Sequence, residues 1–295
     1  MTMIPNTPGH QSVQVERPAE AGDAARPAPM TDSELERYAR HIVLREIGGA
    51  GQNRLRAARV LVVGAGGLGS PVLEYLAAAG VGTISIVDHD VVSLSNLQRQ
   101  VLFDDQHLGQ PKVIAARERL GRLNPGVSVF PVQTHLDDTN ANELLRCHDL
   151  VLDGTDSFGV RRIVNRAAVS LGIPLVSGAI GQWEGQVSVF SVADGTPCYA
   201  CVFPNEPAPG VAPSCAEAGV IGALPGIIGS MMAAEAIKVI TGAGEALTGQ
   251  LLMYDALQGE CRRIRLARRH DCEICGEASG LADMQLPGSH EGPDR

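Results

Sequence analysis

A run of glycines between two β-rich segments constrains this chain most. Gly64-Ala65-Gly66-Gly67-Leu68-Gly69 follows Val60-Leu61-Val62-Val63 directly and precedes a helix-like stretch, Pro71 to Ala79, that Gly80 stops. A second β-run, Thr83-Ile84-Ser85-Ile86-Val87, comes next. A G-x-G-x-x-G run that leaves a strand and opens a helix lets phosphate or ribose approach the backbone at a helix N-terminus. Asp88 lies nineteen residues beyond Gly69, at the end of the second β-run, where a carboxylate can accept from ribose hydroxyls. The segment reads as a βαβ nucleotide-binding unit, and the motif alone does not separate NAD from ATP.

The alternation continues downstream. Pro111 opens a helix through Leu123, Val127 to Val132 reads as a strand, and Leu150-Val151-Leu152 forms another that ends at Asp153. A helix to about Leu171, strands near Leu175 and from Val187 to Phe190, a helix from about Gly226 to Ile240, and strands Leu251 to Tyr254 and Arg263 to Leu266 complete the pattern. Upstream, Ser33 and Glu36 suggest a capped helix with the apolar stripe Leu35, Tyr38, Ile42 and Val43, ended by Gly48 and Gly49. The expected class is α/β: a Rossmann-like, mostly parallel sheet covered by helices, with a mixed C-terminal part and a Pro-rich crossover loop from Pro204 to Pro213. Residues 1–30 hold five prolines and no apolar run and read as a disordered leader, and residues 277–295 read as a disordered tail. Residues 31–276 are expected to form one domain.

Lys and Arg number 24 against 33 Asp and Glu, a net charge of −9 that repels polyanions at long range. With 3% aromatic residues, nucleic acid is not an expected partner. The most apolar uncharged stretch, Ala218 to Ala234, is interrupted by Gly222, Pro225, Gly226 and Gly229 and reads as too short and broken to cross a membrane. The leader lacks the apolar block of a signal peptide and contains Glu16, Glu20 and Asp23, so a cytoplasmic protein is expected. Four of the seven cysteines form two C-x-x-C pairs, Cys198/Cys201 and Cys272/Cys275. In a reducing compartment such pairs favour a metal, and four thiolates match the closed tetrahedron of structural zinc; a redox pair is the alternative.

The segments after the second strand favour ATP over NAD. Ser95-Asn96-Leu97-Gln98-Arg99-Gln100 and Gly109-Gln110-Pro111-Lys112 supply an amide and two cations, which a triphosphate needs. Asp153-Gly154-Thr155-Asp156 sits at a strand's C-terminal end, where a carboxylate could hold magnesium. Each charge taken singly is more simply a solvated surface residue; their grouping at strand ends carries the reading.

These segments, with Arg37-Tyr38-Ala39-Arg40, Asp88-His89-Asp90, Glu184-Gly185-Gln186 and both cysteine pairs, resemble the MoeB/ThiF family of ubiquitin-activating-type adenylyltransferases in order over residues 31–276. The resemblance implies that Gly67 and Asp88 contact the adenosine of ATP, that Asn96, Arg99 and Lys112 hold phosphates, and that Asp156 coordinates magnesium. It extends the nucleotide-binding set to Gly64, Gly66, Gly69, Asp90, Ser95 and Gln100, and it places Arg40 in the partner subunit's site of a homodimer. The implied substrate is the C-terminal Gly-Gly carboxylate of a small ubiquitin-fold sulfur carrier such as MoaD or ThiS, adenylated with release of pyrophosphate. That chemistry would serve molybdopterin, thiamine, cysteine or specialised-metabolite synthesis.

Cys215 stands where thioester- or persulfide-forming relatives keep a nucleophile, and a small residue near the carrier tail fits it equally. Cys147 and Cys261 read as buried packing. His89 has no local Ser or Cys partner for a triad. Arg262-Arg263-Ile264-Arg265, with Arg268 and Arg269, reads as an exposed strand face or a dock for acidic partner residues. Ser157 departs from the Asn that many relatives place after the magnesium Asp, and no fused sulfurtransferase domain follows Gly276, so a separate sulfurtransferase or cysteine desulfurase is the expected sulfur source. The rivals are a Rossmann NAD-dependent oxidoreductase, which leaves Arg99, Lys112 and four cysteines without a role, and a catalytically silent nucleotide-binding scaffold.

Overall fold

In a computed structural model, residues 28–192, 195–206 and 218–276 are described. The expected leader lies almost wholly outside them, as do the expected tail, most of the crossover loop and Cys215. The elements run α1 (Asp32–Arg37), α2 (Ala39–Ile42), α3 (Gly48–Ala57), β1 (Arg59–Val63), α4 (Gly69–Ala79), β2 (Thr83–Val87), α5 (Lys112–Leu123) and β3 (Ser128–Val132). There follow α6 (Ala141–Leu145), β4 (Leu150–Asp153), α7 (Phe158–Leu171), β5 (Leu175–Ile180), β6 (Glu184–Phe190), α8 (Tyr199–Val202), α9 (Ala223–Thr241), β7 (Gln250–Asp255) and β8 (Glu260–Arg265).

The strands form one sheet in the order β3-β2-β1-β4-β5-β6-β7-β8, parallel from β3 to β5 and antiparallel from β5 to β8. Side chains alternate across β1 as a strand requires. Val60 and Val62 enter a core with α4, α5 and α9, whereas Leu61 and Val63 enter a second core with α6, α7 and Tyr199. β1, β2 and β4 are buried on both faces, which explains their apolar runs, whereas the edge strand β3 is only partly covered. β8 is exposed along its whole length, as the arginine run suggested.

The N-terminal helix departs from its expected form. Thr31, rather than Ser33, is the cap, and its reciprocal partner is Glu34 instead of Glu36: Glu34 N donates to Thr31 Oγ1 at 3.3 Å and Thr31 N to Glu34 Oε2 at 2.8 Å. The chain then breaks at Tyr38, because the buried tyrosine turns inward onto Gly80 and its hydroxyl accepts from Asn124 Nδ2 at 2.9 Å. Only Tyr38 of the expected stripe is buried; Leu35 and Val43 are exposed. Gly48 starts α3 instead of stopping a helix, its φ of +58° supplying the left-handed turn between the two.

Two more expectations change. Cys261 is exposed on β8, which no described element covers, whereas Cys147 is buried as expected. The second concerns the apolar stretch Ala218 to Ala234: from Ala223 on it belongs to one continuous helix, α9, which Pro225, Gly226 and Gly229 do not break. By length and composition alone its 19 residues would pass for a span, as the core helices of folded proteins also do. Gly229 lies against Pro71 and the Leu68 carbonyl, so α9 packs closely on the start of α4. Here the helix covers β5 and β6, with Ile228, Met232 and Ala236 fully buried.

Asn124 is 1% exposed and uses both Nδ2 hydrogens, one on Tyr38 and one on the Ala77 carbonyl at 2.7 Å. Tyr38→Phe leaves a buried donor unpaired. It should lower the unfolding free energy by about 1–2 kcal/mol, read as a lower denaturant midpoint with unchanged slope. An unchanged midpoint would refute the clasp.

Candidate active site

Strand order reverses between β1 and β4, and in open α/β sheets the crevice at the carboxyl ends of such a pair is where ligands bind. The glycine loop leaves β1 and the Asp153–Asp156 turn leaves β4 there. They touch: a methyl on Gly64 would lie 3.4 Å from Thr155 Cγ2, and one on Gly154 would lie 3.1 Å from Leu68 Cβ. Gly64 takes φ +89° to make the turn, and a methyl on Gly69 would stand 1.9 Å from the Gly64 carbonyl oxygen. The spacing of the motif thus follows from backbone lying on backbone.

Three helices begin around this loop. α4 starts at Gly69, α5 starts at Lys112, and Pro225 in the first turn of α9 would lie 3.2 Å from a methyl on Gly67. Helix N-termini carry unsatisfied N–H groups and partial positive charge, which suit anions. The α9 contribution escaped the sequence reading; Pro225 followed by glycines just inside a helix start was its available signal.

The acidic pair after β2 joins the loop to Lys112. Asp88 Oδ2 accepts from Ala65 N at 2.8 Å and its Oδ1 from Asp90 N at 2.8 Å. Asp90 Oδ2 accepts from Lys112 Nζ at 2.8 Å. Residues 90–92 and 109–112 are laced together by backbone bonds, Lys112 N to the Asp90 carbonyl at 3.0 Å among them, which fixes the lysine. Partial burial raises the Asp90 carboxyl, but the hydrogen bond and charge of Lys112 outweigh it and hold it below its usual range. Lys112 is 4% exposed at the positive end of α5, an unfavourable place for a cation unless an anion offsets it. Asp90 does so, and a phosphate could.

Arg99 and Gln100 cover the loop from the other side. Arg99 Cδ would be 3.8 Å from a methyl on Gly67, and Gln100 Nε2 3.7 Å from one on Gly66. Arg99 Nη1 donates to the Ser95 carbonyl at 3.1 Å. Asn96 lies in the same short 3-10 turn, its carbonyl accepting from Arg99 N and Gln100 N; the Ser95 hydroxyl engages Ser93 and is exposed. Gln100 Oε1 and Asp153 Oδ2 are buried acceptors with no partner among the described residues.

Asp153 is fully enclosed, and burial pushes its carboxyl up. Its Oδ1 accepts from Thr155 N at 2.9 Å and Thr155 Oγ1 at 2.8 Å, and Asp156 follows with an exposed carboxylate. The exposed carboxylate of Asp156 is a hard oxygen donor of the kind magnesium takes. Ser157 caps α7 by accepting from Val160 N, a role Asn fills equally well, so the departure costs the turn nothing. His89 pairs with Asp90 at 3.3 Å and its ring lies 5.0 Å from that of His135; no triad is formed among the described residues.

Arg40 is not brought to this crevice. α1 and α2 are fastened at the opposite end: Arg37 Nη1 donates to the Leu123 carbonyl, Tyr38 meets Asn124, and Gln52, linked to His41, donates to the Ala79 carbonyl. α4 and α5 run from the loop to these anchors, 11 and 12 residues or about 16–18 Å of helix.

The four cysteines converge beyond α7. All four sulfurs lie within 4.8 Å of one another, Cys198 to Cys272 at 3.7 Å and Cys201 to Cys275 at 3.4 Å. A tetrahedron with metal–sulfur bonds of about 2.3 Å has edges near 3.7 Å, so the donors fit zinc. Burial pushes Cys198 far up and Cys201 to about 11, whereas at Cys272 backbone N–H groups of Cys275 and Ile274 outweigh burial and bring the thiol to about 7. Asn165 Nδ2 and Arg269 N point at the Cys198 and Cys201 sulfurs, as N–H groups that support metal-bound thiolates do.

The chain is 51% identical over 251 residues to the sulfur carrier protein adenylyltransferase of Thermus thermophilus, covering 84% of this chain and 93% of that one. It is 46% identical over 253 residues to the molybdopterin-synthase adenylyltransferase of Escherichia coli, covering 85% and 100%. The crystal structure of E. coli MccB with succinimide superposes with a TM-score of 0.72 at 22% identity, covering 82% of this chain and 74% of that one, and shares the fold. The ThiF family model matches residues 38–274, and the chain belongs to the ThiF family.

Proposed function

We propose that this protein uses ATP to adenylate the C-terminal glycine of a ubiquitin-fold sulfur carrier, releasing pyrophosphate. The carrying observation is the unbroken contact path from Ala65 in the glycine loop through Asp88 and Asp90 to Lys112, with Arg99 over the same loop. It gives the crevice a ribose acceptor and two cations. An oxidoreductase leaves those cations idle, and a silent scaffold would not need Arg40, Lys112 and Asp156 together. The named relatives act in sulfur carrier activation and molybdopterin-synthase adenylylation, which supports the same chemistry here.

The reaction brings a carboxylate to a triphosphate, and two like charges in contact repel by about 4 kcal/mol at an effective dielectric of 20. Arg99 and the three helix N-termini offset this repulsion, and Lys112 exchanges part of its Asp90 contact for phosphate. Asp88 takes the ribose, the close backbone at Gly64, Gly66, Gly67 and Gly69 lets the nucleotide lie on the loop, and Asn96 and Gln100 supply amides. The carrier's terminal oxygen attacks the α-phosphorus, the α–β bridging bond breaks, and the leaving pyrophosphate keeps the electron pair. Magnesium, held by Asp156, would neutralise charge on the phosphates as pyrophosphate forms. Zinc on Cys198, Cys201, Cys272 and Cys275 would tie the C-terminal segment to the body. We read residues 31–276 as the adenylation unit, the cytoplasm as its compartment and a separate sulfurtransferase or cysteine desulfurase as the sulfur source.

The exposed Val43 and Leu44, 75% and 47% accessible, flank Arg40 and suit burial against a second copy, which would carry Arg40 into the neighbouring crevice. The catalytic set is then Arg40 of one subunit with Arg99, Lys112 and Asp156 of the other. Cys215 remains a candidate nucleophile for a later step.

Labelled pyrophosphate should exchange into ATP only when a carrier ending in Gly-Gly is present; exchange driven by free amino acids would overturn the substrate class. Arg40→Ala and Lys112→Ala should each lower exchange by roughly 10²-fold or more. Mixed so that subunits exchange, they should regain activity, because one site of each mixed dimer carries neither lesion. No recovery, with mixed dimers confirmed by mass, would place Arg40 in its own subunit's site or outside catalysis. One zinc per chain should be found by elemental analysis and be lost in Cys198→Ser or Cys275→Ser, with a lower melting temperature. Full metal content in either variant would reject the four-thiolate site.

A further inference from the structure

Helix α7 buries two polar side chains one turn apart, Arg161 at 6% and Asn165 at 1% exposure. Burying a guanidinium and a carboxamide is unfavourable unless their hydrogen-bonding groups are used. Both are used, toward opposite sites. Arg161 donates from Nε to the Thr155 carbonyl at 3.1 Å and from Nη2 to the same oxygen. Asp153 holds the N–H and hydroxyl of Thr155, so the residue before Asp156 is gripped on both sides. Asn165 faces the cysteines: its Oδ1 accepts from Tyr199 N at 2.9 Å and its Nδ2 donates to the Cys198 sulfur at 3.7 Å.

Tyr199 closes the circuit. Its ring is packed edge-on against Phe190 with centroids 5.8 Å apart, and its hydroxyl lies against the Arg161 guanidinium. Backbone and ring of this one residue therefore connect Asn165 to Arg161 outside α7 as well as along it. An isolated structural metal needs no such route: the Cys198 sulfur could be served by backbone alone, as Arg269 N serves Cys201.

We propose that Arg161 and Asn165 are positioning residues that couple the four-cysteine site to the Thr155–Asp156 turn, so that metal loading sets the geometry of the magnesium-binding carboxylate. The kinetic part rests on the adenylation reading; the structural part does not. A metal-bound thiolate at Cys198 is a fixed, strong acceptor that orients the Asn165 amide, which holds Tyr199, which steadies Arg161 on Thr155. Without the metal the Cys198 sulfur is no longer fixed in place, and the first link loosens.

Hydrogen exchange read by mass spectrometry tests this without turnover. In metal-loaded Asn165→Ala and metal-loaded Arg161→Lys, the peptide spanning 153–157 should exchange about fivefold faster than in metal-loaded wild type, the lower end of typical site-to-site coupling, while the β1 peptide stays protected. Removing metal from wild type should give the same acceleration, and removing it from Asn165→Ala should add less than about twofold because the link is already cut. If stripping exposes β1, the loaded variants decide. In pyrophosphate exchange, Asn165→Ala should need about fivefold more magnesium for half-maximal rate, with the ATP KM at saturating magnesium within about twofold of wild type. Wild-type exchange at 153–157 in loaded Asn165→Ala, or full addition of the two effects, would overturn the coupling. Loss of all carrier-dependent activity in wild type, with the hydrogen-exchange pattern intact, would reject the adenylation reading and leave the coupling standing.

Discussion

Everything at the crevice rests on one close approach. The backbone of Gly69 lies so near the carbonyl of Gly64 that a side chain has no room, and this contact folds the loop back from β1 into α4 within a few residues. The same compactness lets the β4 turn sit on the loop, since Gly154 meets Leu68, and lets α9 reach it, since Gly229 meets the Leu68 carbonyl. A bulkier loop would push these elements apart and separate the N-terminus of α9 from the phosphate region. Close packing of the backbone thus builds the electrostatics: dipoles that would be solvated and weak at a distance are aimed together at one small volume.

Charge at this site is stored before any ligand arrives. Lys112 and Asp90 form a pair in which the lysine is buried and the aspartate half-open, and Asp90 is itself tied to the loop through Asp88. The pairing keeps reorganisation low, because an arriving phosphate replaces one anionic partner with another. Asp153 illustrates the opposite choice. Fully enclosed, it uses one oxygen to fix Thr155 and leaves Asp156, in the open, to meet cations.

Much of this was legible in sequence because the determinants are local. The βαβ unit, the acid at the second strand end, the Asp-Gly-Thr-Asp turn and the paired cysteines each lie within a few residues of one another, and short-range spacing fixes their geometry. What the sequence hid depends on distant contacts. Tyr38 breaks the first helix because Gly80 and Asn124 receive its ring and hydroxyl, and nothing between Thr31 and Gly48 announces that. Cys261 is exposed because no described element covers β8. The glycines of α9 look like breaks in a linear reading, yet Gly229 marks a place where another backbone, at the Leu68 carbonyl, comes near.

Arg161 and Asn165 were hidden for a related reason. Their spacing of four residues is visible, but polar residues on a helix ordinarily mark its solvent face, and only the fold shows them turned inward. Once buried, they cannot be exchanged for apolar residues without orphaning the Thr155 carbonyl and the Tyr199 N–H. An inward polar stripe of this kind costs desolvation and contributes direction, which an apolar stripe does not. A helix that merely separated the metal site from the crevice would need only to fill space, whereas α7 presents one hydrogen-bonding end to each, and a shift at either end has a defined path to the other.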